Sequence, residues 1–113
     1  QAIGQRLGAA LKAWTDATEW LAVNAKTGLS GVLTAAVPYL HLAVTVSGGW
    51  FMGKAALVAA GYLDKGEGDQ TFYRAKIATA HFYADQLLPQ AASYAETVKA
   101  GDAALAAFTD EMF

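Results

Sequence analysis

The sequence predicts an all-α fold, an up-and-down bundle of about four helices around a long, kinked central one. Three observations carry this. Alanine is the commonest residue while β-branched residues are sparse and prolines number 2, a balance that favours helix over strand. Apolar residues recur at three-and-four spacing. Breaks of glycine, proline and polar residues fall between the periodic runs.

From the N-terminus, Ile3, Leu7, Ala10, Leu11, Trp14, Ala17, Leu21 and Ala25 share one helix face, with Gln5, Lys12, Asp16 and Glu19 mostly off it. The first helix is therefore expected over residues 2–25, and Lys26-Thr27-Gly28 reads as its C-terminal cation and turn glycine. Residues 29–53 contain no Asp, Glu, Lys or Arg, a length that would satisfy a membrane span. The run is built from Ala, Gly, Ser, Thr and Val, with His41 and Pro38 inside it, and lacks the Leu, Ile and Phe density of a typical span. The expectation is instead a central helix of a soluble bundle, contacted from several sides, with no membrane span. It should continue through Lys54, Leu57 and Leu63 and bend near Pro38, which lacks an N–H.

Residues 64–69 form a polar loop, and Asp69 is placed to cap the next helix. That third helix is expected over 70–87, with Tyr73, Ile77, Ala80, Ala84 and Leu87 on one side. Pro89 either opens a fourth helix ending near Ala100-Gly101 or kinks a continuous one; a break or kink is favoured. Residues 102–113 allow one or two turns, with Asp102 as cap and Leu105 and Phe108 docking back.

At 113 residues, the chain is the size of one domain, and residues 1–113 are read as a single helical domain. The chain opens on Gln1 rather than Met and has no signal-peptide start, so a piece of a larger protein is expected. A net charge of −2, with 8 Lys and Arg among 10 acids, shows no basic stripe, and nucleic acid is not an expected partner. Cysteine is absent, which removes disulfides and thiolate metal sites and suits a cytoplasmic protein.

Catalytic chemistry is not visible. The two histidines, His41 and His81, have no nucleophile motif beside them and no acid three residues before them, so neither a hydrolytic triad nor a di-metal bundle site is expected. Gly66-x-Gly68 lacks the strand and third glycine of a dinucleotide loop. Catalytic, cofactor-binding and metal residues are all expected to be none. Aromatic residues mostly mean core, with the remainder at an interface; Tyr39, Trp50, Tyr73, Lys76, His81 and Tyr83 are the candidates for packing or interface roles.

Four ordered blocks, Tyr39-Leu40-His41-Leu42, Gly48-Gly49-Trp50-Phe51-Met52-Gly53-Lys54-Ala55-Ala56, residues 72–80 and residues 81–89 (His-Phe-Tyr-Ala-Asp-Gln-Leu-Leu-Pro), resemble the helical C-terminal domain of bacterial acyl-CoA dehydrogenases. The resemblance covers nearly the whole chain. It implies a parent enzyme that uses FAD to remove hydrogens from the α and β carbons of an acyl-CoA thioester. It also implies that the glutamate base, flavin pocket and CoA groove belong to upstream domains, the expected partners together with further copies in a homo-oligomer. The four glutamates of this chain, Glu19, Glu67, Glu96 and Glu111, are read as surface or capping acids. A free-standing helical adaptor without enzymatic activity, oligomerising through the central helix, is the alternative.

Overall fold

The computed structural model describes residues 2–113. The chain forms α1 (Ala2–Asn24), α2 (Ser30–Lys65), α3 (Gln70–Gln86) and α4 (Gln90–Lys99), then a single turn, α5 (Ala103–Ala106), and a 3-10 turn over Asp110–Met112. No strand occurs among the described residues. The result is three rods side by side, 67 × 29 × 17 Å. α1 is one rod, α2 another, and α3 with α4 make a third that is broken at Leu87-Leu88-Pro89. α2 lies against α1, α3 and α4, and α1 reaches α4 and α3 as well.

Each boundary has a local cause. Gly66 ends α2 in the left-handed region, at φ 67°, where a residue without Cβ is unstrained. Its N–H donates to the Leu63 carbonyl and that of Glu67 to the Tyr62 carbonyl, the paired bonds of a glycine-terminated helix. Asp69 then caps α3 as expected, its carboxylate accepting from the Phe72 N–H at 3.1 Å. Replacing Asp69 with Ala should cost about 1 kcal/mol and Asp69→Asn much less, a difference read directly from urea unfolding midpoints.

α2 remains helical through Pro38. The clear break in the chain comes at Pro89, which has no N–H to donate to Asp85 and crowds the preceding turn. The Leu87 and Leu88 amides both bond to the Tyr83 carbonyl, and Gln90 and Ala91 bond back to Leu87 and Leu88. This break turns Leu88 inward.

The core is narrow and dominated by alanine. Ala10 and Ala17 of α1, Ala35, Leu42 and Val46 of α2, Ala84 and Leu88 around the break, and Ala91, Ala95 and Val98 of α4 form one continuous buried cluster. Small residues at these contacts bring the rods close, Gly48 beneath Tyr83 and the buried Gly49 beneath Leu88. Trp14, Trp20, Tyr39, Tyr83 and Tyr94 close the cluster from its margins.

α2 is contacted by α1, α3 and α4 as expected, while its remaining side faces solvent, exposing Leu33, Val37, Leu40, Val44, Phe51 and Val58. One expectation is overturned. The terminal segment does not dock back: Leu105 and Phe108 are exposed, and Asp102 makes no side-chain cap. A one-turn helix offers too few positions on one face to bury both side chains, and the Phe108 and Phe113 rings instead lie 5.8 Å from each other. α2 is also long and apolar enough, by length and composition, to cross a membrane.

Candidate functional site

The six residues singled out in the sequence do not converge on one point. They mark three stations along the long axis. At the first, between α1 and α2, the Trp14 indole N–H donates to the Tyr39 hydroxyl at 3.1 Å. Tyr39 Oη lies 2.8 Å from Thr18 Oγ1, and the Thr18 hydroxyl donates to the Trp14 carbonyl at 2.8 Å. With that proton committed, Tyr39 is the donor to Thr18, and the ring of bonds closes with every polar atom satisfied. Nearby, His41 stacks on Tyr94 of α4 with ring centroids 5.5 Å apart.

The second station lies between α2 and the C-terminal end of α3. Tyr83 donates its hydroxyl to the Thr45 carbonyl at 2.7 Å, and burial raises its pKa above the ordinary value of 10.0. Its ring fits over Gly48, where a Cβ would collide with the hydroxyl and Cζ. His81, two residues earlier on α3, is exposed.

The third station holds three of the six. Tyr73 stacks on Tyr62 with centroids 5.0 Å apart, Lys76 Nζ lies 5.5 Å from the Phe72 ring, and Lys54 Nζ lies 4.4 Å from the Trp50 ring. Lys54, Ala55, Val58, Ala59, Phe72, Tyr73 and Lys76 line an open apolar depression of about 310 Å³. Two other depressions are as shallow. One, of about 430 Å³, lies on α4 along Ala92, Glu96, Lys99 and Ala100; the other, of about 320 Å³, lies beside Trp14, Thr18, Glu19 and Tyr39.

Glu19, Glu67, Glu96 and Glu111 are all exposed, and no group of three His, Cys, Asp or Glu that could hold a metal occurs among the described residues. The residues also do not fit FAD, whose pyrophosphate needs free backbone N–H donors beside an apolar slot. The third depression comes nearest, at the start of α3, but there Asp69 already takes the Phe72 N–H. What the surface does offer is apolar area for contact: the outer side of α2, Phe72 and Phe82 on α3, and the terminal Phe108 and Phe113. The outer stripe of α2 escaped the sequence reading because that helix is apolar on both sides, and periodicity could not tell the face turned inward from the one left open.

Comparison with known proteins agrees with a module of this kind. Residues 1–109 match the family model described as "Acetyl-CoA dehydrogenase C-terminal like". The chain is 36% identical over 108 residues to a "3-methylmercaptopropionyl-CoA dehydrogenase" of Ruegeria pomeroyi (strain ATCC 700808 / DSM 15171 / DSS-3), a match covering 95% of this chain and 18% of that protein. Matched over nearly its whole length, this all-helical chain belongs to the C-terminal domain family of the acyl-CoA dehydrogenases.

Proposed function

We propose that the chain serves as the accessory C-terminal module of a flavin-dependent acyl-CoA dehydrogenase, packing on the catalytic body and supporting oligomer contacts. In this reading the parent protein works in the cytoplasm and removes hydrogens from the α and β carbons of an acyl-CoA thioester. FAD, the proton-abstracting glutamate and the CoA groove are held by upstream domains. The chain's own residues contribute surface, not chemistry.

The observation that carries the proposal is a pairing of two facts: a family match along the chain and an apolar surface too large to leave wet. Monomeric soluble proteins rarely expose contiguous apolar patches beyond a few hundred Å², whereas here whole helix faces are open. The free-standing adaptor remains the alternative, and it differs in having no flavoprotein attached.

The test compares the full-length parent, the parent lacking this module, and the module alone. Visible spectrum and acyl-CoA turnover with an artificial electron acceptor are the readouts. The expected result is a yellow, active parent and a colourless, inert module, with truncation altering assembly or acyl-chain preference. Flavin or turnover in the module alone, or a parent with neither, would sink the proposal.

A further inference from the structure

The charged residues of this chain are sorted by sign. Between residues 30 and 63 of α2 and between residues 70 and 84 of α3 they are Lys54, Arg74 and Lys76, with no carboxylate among them. Acids return only at Asp64, Glu67 and Asp69 around the turn and at Asp85. Two of these are engaged, Asp69 in capping α3 and Asp85 in pairing with Arg6. Beyond Lys99 the sign inverts: residues 100–113 carry Asp102, Asp110 and Glu111 and no cation.

Both stretches also leave apolar side chains open. Lys54 and Lys76 flank the depression floored by Ala55, Val58, Ala59, Phe72 and Tyr73, their ammonium groups held over the Trp50 and Phe72 rings. Neither lysine has a carboxylate partner among the described residues. The tail exposes Phe108, Met112 and Phe113, the last at 93%, on either side of Asp110 and Glu111 in the 3-10 turn. An apolar floor between two cations and an apolar segment with two central acids are complements of each other, in which charge sets the register and the rings fill the floor.

The tail does not reach the depression of its own chain. Gly101 lies against Trp20 near the end of α1, whereas Gly53, beside the depression, lies against Ile3 and Leu7 at the start of α1. These contacts are about 20 Å apart along α1, and Val58 is about 7 Å farther along α2. From Gly101 to Asp110 the chain bridges roughly 20 Å at most, because residues 103–107 are wound and advance by about 1.5 Å each. A second copy lying antiparallel brings its tail end beside this depression and its depression beside this tail. The exchange is then reciprocal and closes as a two-fold pair. Such a contact is peptide-sized, and it suffices between tethered partners, whose local concentration is roughly millimolar.

We infer that residues 108–113 of one copy dock in the Lys54/Lys76 depression of a second copy, with Asp110 and Glu111 pairing with the two lysines and the phenylalanines covering Val58 and Phe72. This deepens the accessory-module reading, on which it rests for the oligomer that presents one copy to the other.

The full-length parent, at low concentration, is treated with a zero-length carbodiimide, which joins a carboxylate to an amine only where the two touch. The expected product is a species of twice the subunit mass, linked from Asp110 or Glu111 to Lys54 or Lys76 when its peptides are read by mass spectrometry. The same link at single mass would mean a tail on its own depression, and a tail linked only to upstream residues would mean that the catalytic body is its partner. Either overturns the inference, as does absence of the link. A second measurement uses charge exchange at these four exposed positions. Lys54→Glu/Lys76→Glu and Asp110→Lys/Glu111→Lys parents, differently tagged and co-expressed, should form mixed oligomers in excess of two tagged native parents, since opposite signs then meet only between unlike copies. Mixing at the native share overturns the inference. Far-UV circular dichroism, flavin content and turnover are followed on the same samples. A folded, yellow, active parent without the link sinks only the tail contact, whereas a parent with neither flavin nor turnover sinks the functional reading.

Discussion

Gly49→Ala should destabilise the native protein and stabilise its Leu88→Ala variant. In the native core a methyl on Gly49 would sit 2.6 Å from Leu88 Cδ2 and 3.1 Å from Cδ1, closer than carbon atoms tolerate. Leu88 cannot swing away, because it is among the most buried large side chains of the fold and its backbone is fixed by the break before Pro89. Overpacking of this kind costs about 1–3 kcal/mol, of which the better helix propensity of alanine returns at most about 1 kcal/mol. Leu88→Ala alone removes those methyls and leaves a cavity between α2 and the α3/α4 break, at a cost of about 2–5 kcal/mol. That is a large part of the roughly 5–15 kcal/mol that holds a typical domain together. In the Leu88→Ala background the new methyl finds space, fills part of the void and keeps its propensity gain, so the sign reverses. Four urea titrations, native, two singles and the double, measure the coupling directly. Additive effects would mean that Gly49 and Leu88 do not share the contact on which this packing account depends.

The same contact shows what was legible beforehand. Helix boundaries came out within one or two residues because each is signalled locally: Lys26 to Gly28 after α1, Gly66 and Asp69 around the α2/α3 turn, Pro89 at the break. The dehydrogenase-tail resemblance was legible because Tyr39, Trp50, Lys54, Tyr73 and Tyr83 occur in ordered blocks. Gly48 and Gly49 looked like generic small residues in an apolar helix, yet they lie against different neighbours, Tyr83 and Leu88. Only the three-dimensional placement of the broken third rod separates them. The outer stripe of α2 was hidden for a related reason. A sequence specifies that Leu33, Val37 and Leu40 are apolar, but whether a fourth rod covers them depends on how many rods the chain can supply. Here Pro89 divides the last long helical stretch into two halves of one rod, and α5 is too short to replace it.

Gly48→Ala should cost the fold about 1–3 kcal/mol by the same overpacking argument, but through a polar route with its own signature. The added methyl would collide with the Tyr83 hydroxyl and lie 2.9 Å from its Cζ. The ring must shift, and the 2.7 Å bond to the Thr45 carbonyl lengthens or breaks. Tyr83→Phe removes the hydroxyl but keeps the ring, so it should cost about 1 kcal/mol, the usual net worth of such a bond, and should relieve only part of the collision. The pH dependence separates this contact from a purely steric one. Burial raises the Tyr83 pKa in the folded protein above the 10.0 of the open chain, so the fold favours the neutral phenol. The stability gained from this is fully present below pH 10 and is lost as pH rises through the higher folded value, because the unfolded chain releases its proton first. The native protein should therefore lose stability relative to Tyr83→Phe when unfolding is followed from pH 9 upward, and Gly48→Ala should behave more like Tyr83→Phe because its displaced hydroxyl is wetter. Parallel curves for all three proteins across that range would show that Tyr83 is not held at Gly48 in the way its hydrogen bond to Thr45 requires.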